Sequence, residues 1–525
     1  MLKAIRETGA SLVRRAEGGF TAVFGADANP LYHSGALTIY FFWIVLVSGI
    51  YVFVFFETSI FGAYESVEYL SREQWYLGGV MRSLHRYASD AAVITLLVHM
   101  LQEFLKGRYR GARWFSWFTG VPLLWMVFPL GITGYWLVWD ELAQYIAIAS
   151  SELLDWLPMF TDPMARNFLT PESLSDRFFT LMAFLHLIGI PIFLVFGIWF
   201  HLLRISRPTV NPPRRLALGS LAALLVMSLL APAQSQAPAD LARVPTELAF
   251  DWFYLPVYPI YELTSAGTTW MLLVGSSLLL SLLPWLPRPR ARPVAEVDLG
   301  NCNGCGRCFV DCPFSAVTMQ PRSDAKKYER EAVVDPSLCT ACGICAGACP
   351  SSTPFRSAEG LVSGIDMPTL TIQQLRSAMV EQLDGVRAPV KLLVYGCDCA
   401  ADVGRLGLPG VVAQSLPCIG NLPPAFIDYA LRRAGADGVL LTGCRPGDCF
   451  YRFGNRWVEE RMDGTREPHL RRSVDRSRLR IHWAAGHETP ALRAAAAAFM
   501  DELSAASPTE PDDSVQAPPR AVGHE

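Results

Sequence analysis

The sequence predicts a multidomain protein: an all-α transmembrane helical bundle of about six spans, then a small α+β domain and a small α/β domain. Three observations support this fold class. The first 290 residues contain six apolar runs of membrane-spanning length. All 13 cysteines fall at or after Cys302, and eight of them lie in two tight repeats. From about Lys391, short apolar strands alternate with helical patterns, which is typical of a mainly parallel sheet.

Composition limits the class of protein. A chain of 525 residues is long enough for several domains. A hydrophobic content of 51% with 18% charged residues indicates a protein partly embedded in the lipid bilayer. The net charge of −3 gives no sign of a nucleic-acid partner, and we expect none. Cysteines in metal-ligand spacings favour metal sites in a reducing compartment over disulfides.

The predicted elements follow in order. Residues 1–30 are basic and amphipathic, which indicates a cytoplasmic surface helix. The six predicted spans lie near residues 35–56, 80–105, 116–138, 178–204, 216–232 and 267–286. The basic residues between and beside them are Lys3, Arg6, Arg14, Arg15, Lys106, Arg108, Arg110, Arg113, Arg204, Arg207, Arg214, Arg215, Arg288, Arg290 and Arg292. The intervening loops are acidic, so the positive-inside bias places both termini in the cytoplasm of a bacterial inner membrane.

Four histidines lie in two of these runs as matched pairs. His85 and His99 are 14 residues apart, and His186 and His201 are 15 apart. In a helix, 14 residues rise about 21 Å and return to within roughly 40° of the first direction, while 15 miss by about 60°. Each helix therefore presents two imidazoles on nearly one face. Histidine is an axial haem ligand and is costly inside a membrane, so we predict two b-type haems. The alternative is four histidines satisfied separately by polar neighbours.

Four glycines repeat the histidine interval. Gly35 and Gly49 are 14 residues apart in the first run, and Gly120 and Gly134 are 14 apart in the third. A missing Cβ would let a flat macrocycle approach the backbone. Packing of small residues between helices is the alternative, but it does not predict the shared interval.

With these residues in place, the membrane half resembles the cytochrome b subunit of quinol-oxidising bc-type complexes. The histidines, the glycines, MRSLHRY (Met81–Tyr87) and GITGYWLVWDE (Gly131–Glu141) carry the resemblance. It covers roughly the first 290 residues.

The resemblance implies a role for each of these residues. His85 and His186 would hold a periplasm-side haem, and His99 and His201 a cytoplasm-side haem. Arg82 would pair with a haem propionate. Without the resemblance, Arg82 would be interpreted as an interfacial arginine reaching towards the lipid headgroups.

A loop before the last span resembles the quinol site of that family. Cytochrome b proteins carry a Pro-Glu-Trp-Tyr signature there, and this chain has AFDWFYLP (Ala249–Pro256). Asp251 would replace the glutamate, Trp252 matches, and Phe253 replaces the tyrosine. The resemblance implies quinone or quinol as substrate, with Asp251 accepting a proton. An acidic interfacial loop with an aromatic belt is the alternative.

Two cysteine runs follow a proline-rich boundary. Cys302–Pro313 and Cys339–Pro350 both read C-x2-C-x2-C-x3-C-P. This is the run of bacterial ferredoxins with two [4Fe–4S] clusters, in which the fourth cysteine ligates the other cluster. We therefore predict a ferredoxin-like α+β domain, with zinc as the alternative. The expected ligand sets are Cys302, Cys305, Cys308 and Cys349 for the first cluster, and Cys339, Cys342, Cys345 and Cys312 for the second.

Five further cysteines follow the predicted strands of the last domain, at the sheet edge where α/β proteins bind ligands. They are Cys397, Cys399, Cys418, Cys444 and Cys449. With GCRPGDC (Gly443–Cys449) and the RFGN that follows, this region resembles the delta subunit of methyl-viologen-reducing hydrogenases. That family member is a small [2Fe–2S] protein that passes electrons to heterodisulfide-reductase-type flavoproteins. The resemblance implies one [2Fe–2S] cluster and leaves open which four cysteines bind it. A zinc site or buried free thiols are the alternatives.

These predictions divide the chain into seven segments. They are a cytoplasmic N-terminus (1–30), a four-helix di-haem domain (31–210), two further spans with the quinone-site-like loop (211–290), a two-cluster domain (296–355), a connector (356–388), a [2Fe–2S] domain (389–505) and a disordered tail (506–525).

Together these domains predict a membrane electron-transfer subunit, active within a complex as a quinone-linked oxidoreductase. It would link the quinone pool to a cytoplasmic flavoprotein or to heterodisulfide-reductase- or hydrogenase-like subunits, with other bc-type subunits as further partners. One alternative is an anchor that docks such a complex without quinone chemistry of its own. Another has the haems and the clusters as two electron paths that meet at one quinone.

Overall fold

The computed structural model describes residues 2–25, 28–158, 169, 174–203, 210–245, 247–286, 293–325, 327–356, 360–446, 449–486 and 488–505. The predicted tail 506–525 and the basic residues Arg204, Arg207, Arg288, Arg290 and Arg292 lie outside these ranges. Packing divides the chain into two compact units, Met1–Ala291 and Arg292–Glu525. We call them the membrane unit and the cluster unit.

The membrane unit is helical throughout its described elements. In chain order these are α1 Leu2–Phe24, α2 Ser34–Phe55, α3 Gly62–Arg72, α4 Val80–Leu105, α5 Trp114–Val138, α6 Glu141–Asp155, α7 Asp176–Phe184, α8 Ile190–Leu202, α9 Arg214–Leu230, α10 Val257–Leu263 and α11 Ala266–Leu282. A π turn, Leu185–Gly189, joins α7 to α8 in one continuous helix, and another, Trp75–Gly79, precedes α4. The predicted spans agree with these bounds to within a few residues.

Five helices in the described part of the chain are long and apolar enough to cross a membrane. They are Ser34–Phe55, Trp75–Leu105, Gly111–Val138, Asp176–Leu202 and Ala266–Trp285. The remaining predicted span forms α9, whose 17 residues are at the lower limit for a bilayer. In the first turn of α9, the Ala217 carbonyl accepts a hydrogen bond from Tyr40 of α2 (3.1 Å). Directly after its last residue, the Ala231 carbonyl accepts one from Tyr87 of α4. Helix α9 therefore reaches from near the level of Gly35 to the level of His85.

Apolar residues lie on both sides of these helices. On the inside, Leu37, Phe41 and Ile44 of α2 pack against α4, where Ala88 and Ala92 are fully buried. The small alanines let the two helices approach closely. On the outside, α8 exposes many large apolar side chains, including Phe193, Val195, Phe196 and Trp199. An apolar outer surface is what a helix needs next to lipid.

The segment after α9 closes one end of the bundle, the end that carries His85. The Ala233 amide donates to the Ser83 hydroxyl (2.8 Å), and the Gln236 amide donates to the Asp140 carboxylate (2.9 Å). Further along, the Tyr254 hydroxyl donates to the Ser89 carbonyl (3.1 Å). The loop with the predicted quinol-site residues is therefore fixed to α4 and α5.

The first part of the cluster unit is a two-cluster ferredoxin arrangement. Strands β1 Glu296–Val297 and β4 Ile365–Asp366 pair antiparallel, as do β2 Val317–Pro321 and β3 Arg330–Val334. Each cysteine run ends in a one-turn helix, α12 Arg307–Asp311 and α13 Ile344–Ala348. The predicted connector contains helix α14 Ile372–Gly385, which begins with a capping box at Thr371.

The second part is a parallel four-stranded sheet in the order β6–β5–β7–β8. Its strands are β5 Leu392–Cys397, β6 Val411–Leu416, β7 Gly438–Leu441 and β8 Leu479–Ile481. Its helices are α15 Ala425–Arg432, α16 Gly454–Asp463 and α17 Thr489–Ala505. Strand β5 is buried along its whole length, as expected of a central parallel strand. The predicted fold class is confirmed; helix α16 is an element that the sequence reading missed.

Candidate metal centres

The predicted haem ligands His85 and His186 face each other inside the bundle. Their ring centres are 6.2 Å apart. A metal–imidazole bond is about 2 Å long, and the ring centre lies about 1 Å beyond the nitrogen. Two rings on opposite sides of one metal ion would therefore be about 6 Å apart, and the observed distance fits an iron between them.

A carbonyl on the neighbouring helix holds each of three histidine rings. Nδ1 of His85 donates to the Val45 carbonyl (2.9 Å), and Nδ1 of His186 donates to the Leu130 carbonyl (2.9 Å). His201 makes the same kind of bond to the Ser116 carbonyl. A carbonyl can only accept, so Nδ1 carries the proton. The Nε2 lone pair is left for a metal.

The four predicted glycines contact the histidine rings. A Cβ built on Gly49 or Gly134 would lie 2.8 or 2.7 Å from the ring carbon Cε1 of His85 or His186. At Gly35 and Gly120 the corresponding distances are 3.2 Å to His99 and 3.4 Å to His201. In this structure these glycines make room for the ligand imidazoles, and the expectation that they also admit a macrocycle stays a prediction.

A hydroxyl precedes every one of these glycines, which the sequence reading missed. The hydroxyl oxygens of Ser48, Thr119 and Thr133 lie 3.3–3.4 Å from the Nδ1 atoms of His85, His201 and His186. At the fourth position, Ser34 donates to Gln102, three residues after His99 (2.8 Å). The signal was present in the sequence as a Ser/Thr-Gly pair repeated at the histidine interval.

The unequal histidine spacing has a structural cause. The extra residue between His186 and His201 falls in a helix that contains the π turn Leu185–Gly189, around His186 itself. A π turn accommodates one more residue than an α turn. It therefore makes the interval equivalent to 14 α-helical residues and reduces the predicted 60° mismatch to about the 40° of the His85–His99 pair.

Arg82 lies at the same end of the bundle as His85 and is buried. It pairs with Glu68 of α3 (3.2 Å), donates to Ser235 (2.6 Å) and also contacts Ser71. The resemblance implies a haem propionate as the partner of Arg82. In this structure, protein groups bind its guanidinium.

Asp251 is buried, 6% exposed, and its carboxylate is held by three protein groups. Arg86, next to His85 in the sequence, pairs with it at 2.7 Å. The Tyr135 hydroxyl donates to it, and so does the Phe253 amide (2.8 Å). The structure therefore joins the predicted quinol-site loop directly to the two helices that carry His85 and Gly134.

In the cluster unit, both cysteine runs have the same backbone form. Gly304 and Ala341 have φ of +66° and +58°, and Gly306 and Gly343 have φ of +75° and +76°. These left-handed residues bend each loop so that three cysteines converge. One cavity is lined by all four ligands predicted for the second cluster, Cys312, Cys339, Cys342 and Cys345.

The neighbours of Cys308 are the other members of the first predicted set. Burial, with repulsion from Cys349, Cys305 and Cys302, raises the pKa of the Cys308 thiol to about 12. Burial likewise raises the pKa of Cys342 to about 12, with Cys312 and Cys339 nearby. Without a metal these thiols are protonated at neutral pH, so cluster binding would release protons.

Four of the five C-terminal cysteines converge. The sulfur atoms of Cys397 and Cys444 are 3.8 Å apart, and Cys449 contacts both Cys418 and Cys444. The two close pairs, Cys397–Cys444 and Cys418–Cys449, suit a [2Fe–2S] cluster, in which each iron takes two protein ligands. The backbone carbonyl of Cys399 accepts a hydrogen bond from the Cys444 sulfur (3.7 Å).

A glycine makes room for this group too. A Cβ on Gly454, the first residue of α16, would overlap the Cys418 sulfur and lie 3.5 Å from that of Cys449.

Among the residues that the structure describes, no group of three or more His, Cys, Asp or Glu side chains could hold a single metal ion.

The arrangement defines a class of protein. A helical membrane bundle with two levels of paired histidines, joined in one chain to three groups of four cysteines, is a membrane electron-transfer subunit.

Comparison with known families agrees. The family model described as cytochrome b/b6/petB matches residues 23–208, a 4Fe-4S dicluster domain matches 301–353, and methyl-viologen-reducing hydrogenase, delta subunit, matches 395–506. The chain combines these three domains, and the fusion predicted from the sequence is confirmed.

Individual relatives match the membrane unit. Cytochrome b6 of Synechococcus sp. (strain CC9605) is 28% identical over 185 residues, which are 35% of this chain and 84% of the relative. Cytochrome b6 of Prochlorothrix hollandica is 26% identical over 185 residues, 35% of this chain and 83% of the relative. A solved "Hyperthermophilic respiratory Complex III" chain aligns with a TM-score of 0.41 and 20% identity, over 49% of this chain and 75% of that chain.

Proposed function

We propose that this protein relays electrons between the quinone pool and a cytoplasmic flavoprotein or heterodisulfide-reductase-like complex. The groups involved would be two b-type haems, two [4Fe–4S] clusters and one [2Fe–2S] cluster, each of which carries one electron at a time when bound. The location would be a bacterial inner membrane with both termini in the cytoplasm. Other bc-type subunits are further proposed partners.

One observation carries the proposal: His85 and His186 face each other at 6.2 Å while a carbonyl fixes each Nδ1 proton. Both Nε2 atoms are thereby prepared for one iron. A bundle that served only as an anchor would not need histidines oriented in this way.

In this proposal the chain supplies the ligands and fixes their orientation. Arg82 and Arg86 place two cations beside the His85 level. Cys397, Cys418, Cys444 and Cys449, whose sulfurs form two close pairs, would hold the [2Fe–2S] cluster.

Asp251 is the proposed proton acceptor for quinol. A carboxylate accepts about four hydrogen bonds. A quinol hydroxyl would therefore take the remaining site on Asp251 or replace Tyr135, the neutral side chain among the three groups now bound. In Asp251→Asn, quinol-dependent haem reduction should fall by about 100-fold, at the lower end of the usual contribution of a general base. The haem spectrum should be unchanged.

The experiment that tests the relay is haem reduction in purified membranes, followed by absorbance at the haem bands after adding quinol or the reduced cytoplasmic donor. The relay predicts reduction of both haems by either donor, with the step of the His99-level haem lost in His99→Leu. A protein that only anchors a complex would show no reduction faster than the uncatalysed background, and that result would overturn the proposal.

A further inference from the structure

The two cysteine runs have equal spacing but unequal surroundings. At the positions between the third and fourth cysteines, the first run has Phe309, Val310 and Asp311, and the second has Ala346, Gly347 and Ala348. Phe309 and Val310 are 48% and 66% exposed, whereas Ala346 and Ala348 are fully buried. The second run packs against the α/β domain through these buried residues, whereas the first run contacts that domain at Asp311.

The contact is made by glycines. A Cβ on Gly347 would overlap the Gly420 carbonyl oxygen, and one on Gly343 would lie 2.6 Å from the side chain of Asn421. A Cβ on Gly420 would in turn lie 3.0 Å from the Ile344 side chain. Gly420 follows Cys418 by two residues, so the second run contacts the chain two residues from a predicted [2Fe–2S] ligand.

A buried ion pair closes this junction. Arg461 of α16 is fully buried, pairs with Asp311 at 2.6 Å and donates to the Gly420 carbonyl (3.0 Å). Arg466 binds the other Asp311 oxygen (2.6 Å), and Trp457 donates to the Asp311 carbonyl (3.1 Å). Asp311 directly precedes Cys312, a predicted ligand of the second cluster.

The second cysteines of the two runs also differ in burial. Cys342 is buried, whereas the equivalent cysteine of the first run, Cys305, is exposed.

We propose an order for the relay: the [2Fe–2S] cluster exchanges electrons with the [4Fe–4S] cluster of Cys339, Cys342, Cys345 and Cys312, and only through it with the other [4Fe–4S] cluster. This order rests on the proposed function. Each step moves one electron, which oxidises one cluster and reduces the next, with no bond made or broken. Arg461 is a positioning residue that holds the two cluster domains together.

The test is electron paramagnetic resonance of the purified full-length protein, reduced with dithionite. Two paramagnetic clusters in contact split or broaden each other's signals. We expect Gly347→Ala to abolish the coupling of the [2Fe–2S] signal, because the new Cβ forces the junction apart. Val310→Ala, at the equivalent position of the first run, should leave the coupling unchanged.

A second pair of variants separates cluster order from a general loss of packing. Cys342→Ser, which alters the second cluster, should remove the coupling, and Cys305→Ser, which alters the first, should preserve it. Two results would overturn the proposed order but not the proposed function. One is coupling that is lost in Cys305→Ser and kept in Cys342→Ser. The other is a wild-type protein that contains all the clusters and shows no coupling. Absence of the cluster signals from the wild type would overturn the proposed function as well.

Discussion

The two units position metal ligands in different ways. In the membrane unit a neighbouring helix holds each histidine ring. A glycine makes room for the ring, and a backbone carbonyl binds the rings of His85, His186 and His201. In the cluster unit one loop supplies three cysteines, and left-handed residues within that loop set all three at once. A fault in the first arrangement should therefore displace one ligand, and a fault in the second should displace three.

The largest expected effect concerns the glycines of the membrane unit. Gly134→Ala would place a Cβ 2.7 Å from the His186 ring, closer than real contacts allow, whereas Gly120→Ala would place one 3.4 Å from His201. We expect Gly134→Ala to lose the haem at the His85 level while the other haem stays. Gly120→Ala is the matched control and should keep both. Haem content and reduced-minus-oxidised spectra measure this; equal losses in the two variants would contradict a role of these glycines in seating the rings.

The cluster loops offer a paired test of the second arrangement. Gly306 and Gly343 have nearly the same left-handed φ, so alanine at either position should cost about 1–2 kcal/mol. A Cβ at Gly343 would also lie 2.6 Å from the Asn421 side chain, whereas a Cβ at Gly306 would have no other atom within 4 Å. Gly343→Ala should therefore lose the second cluster, and Gly306→Ala should lower cluster content only slightly. Iron and sulfide analysis with paramagnetic resonance decides; a loss confined to Gly306→Ala would refute the expectation.

How far the sequence could predict this molecule differs between the two units. Ligand positions could be predicted because they repeat: histidines and glycines at the same interval, and cysteines in two identical runs. The groups that tertiary packing brings against these ligands could not be predicted from the sequence. The π turn at His186 has no sequence signature of its own, and the carbonyl of Leu130 is a backbone atom. The junction glycine Gly347 is meaningful only once Gly420 is seen against it.

The same reasoning applies to Asp311 and helix α16. In the sequence, Asp311 is one acidic residue between two predicted ligands, and α16 is too polar to be recognised by an apolar stripe. Only the fold shows that Arg461 of α16 is buried on Asp311.

A third prediction concerns this buried pair. Asp311→Ala leaves Arg461 with a buried, unpaired charge, which typically costs about 3–5 kcal/mol. Native-state hydrogen exchange of the full-length protein should show opening of α16 easier by that amount. The control is Arg405→Ala, which removes an exposed pair with Asp402 and should cost less than about 1 kcal/mol. Similar effects of the two substitutions would mean that the Asp311 pair does not hold the junction.

The smallest expected effect returns to the membrane unit and to a hydroxyl that contacts a single ligand. Thr133→Val removes the oxygen 3.3 Å from Nδ1 of His186 but leaves the bond to the Leu130 carbonyl. Weaker hydrogen bonding at Nδ1 makes the imidazole less basic and stabilises oxidised iron less. The midpoint potential of the haem at the His85 level should therefore rise. One hydrogen bond contributes about 0.5–1.5 kcal/mol, which is roughly 20–65 mV for one electron.

The other haem serves as the control in the same sample. Thr119, not Thr133, lies beside His201, so Thr133→Val should leave the midpoint of the His99 level unchanged. Redox titration that resolves the two haem steps measures both values at once. A shift of both haems, or a fall at the His85 level, would show that the hydroxyl does not act through Nδ1 of His186. A rise confined to one level would show that each ligand in the membrane unit is tuned by its own neighbouring helix, unlike the three cysteines that share one loop.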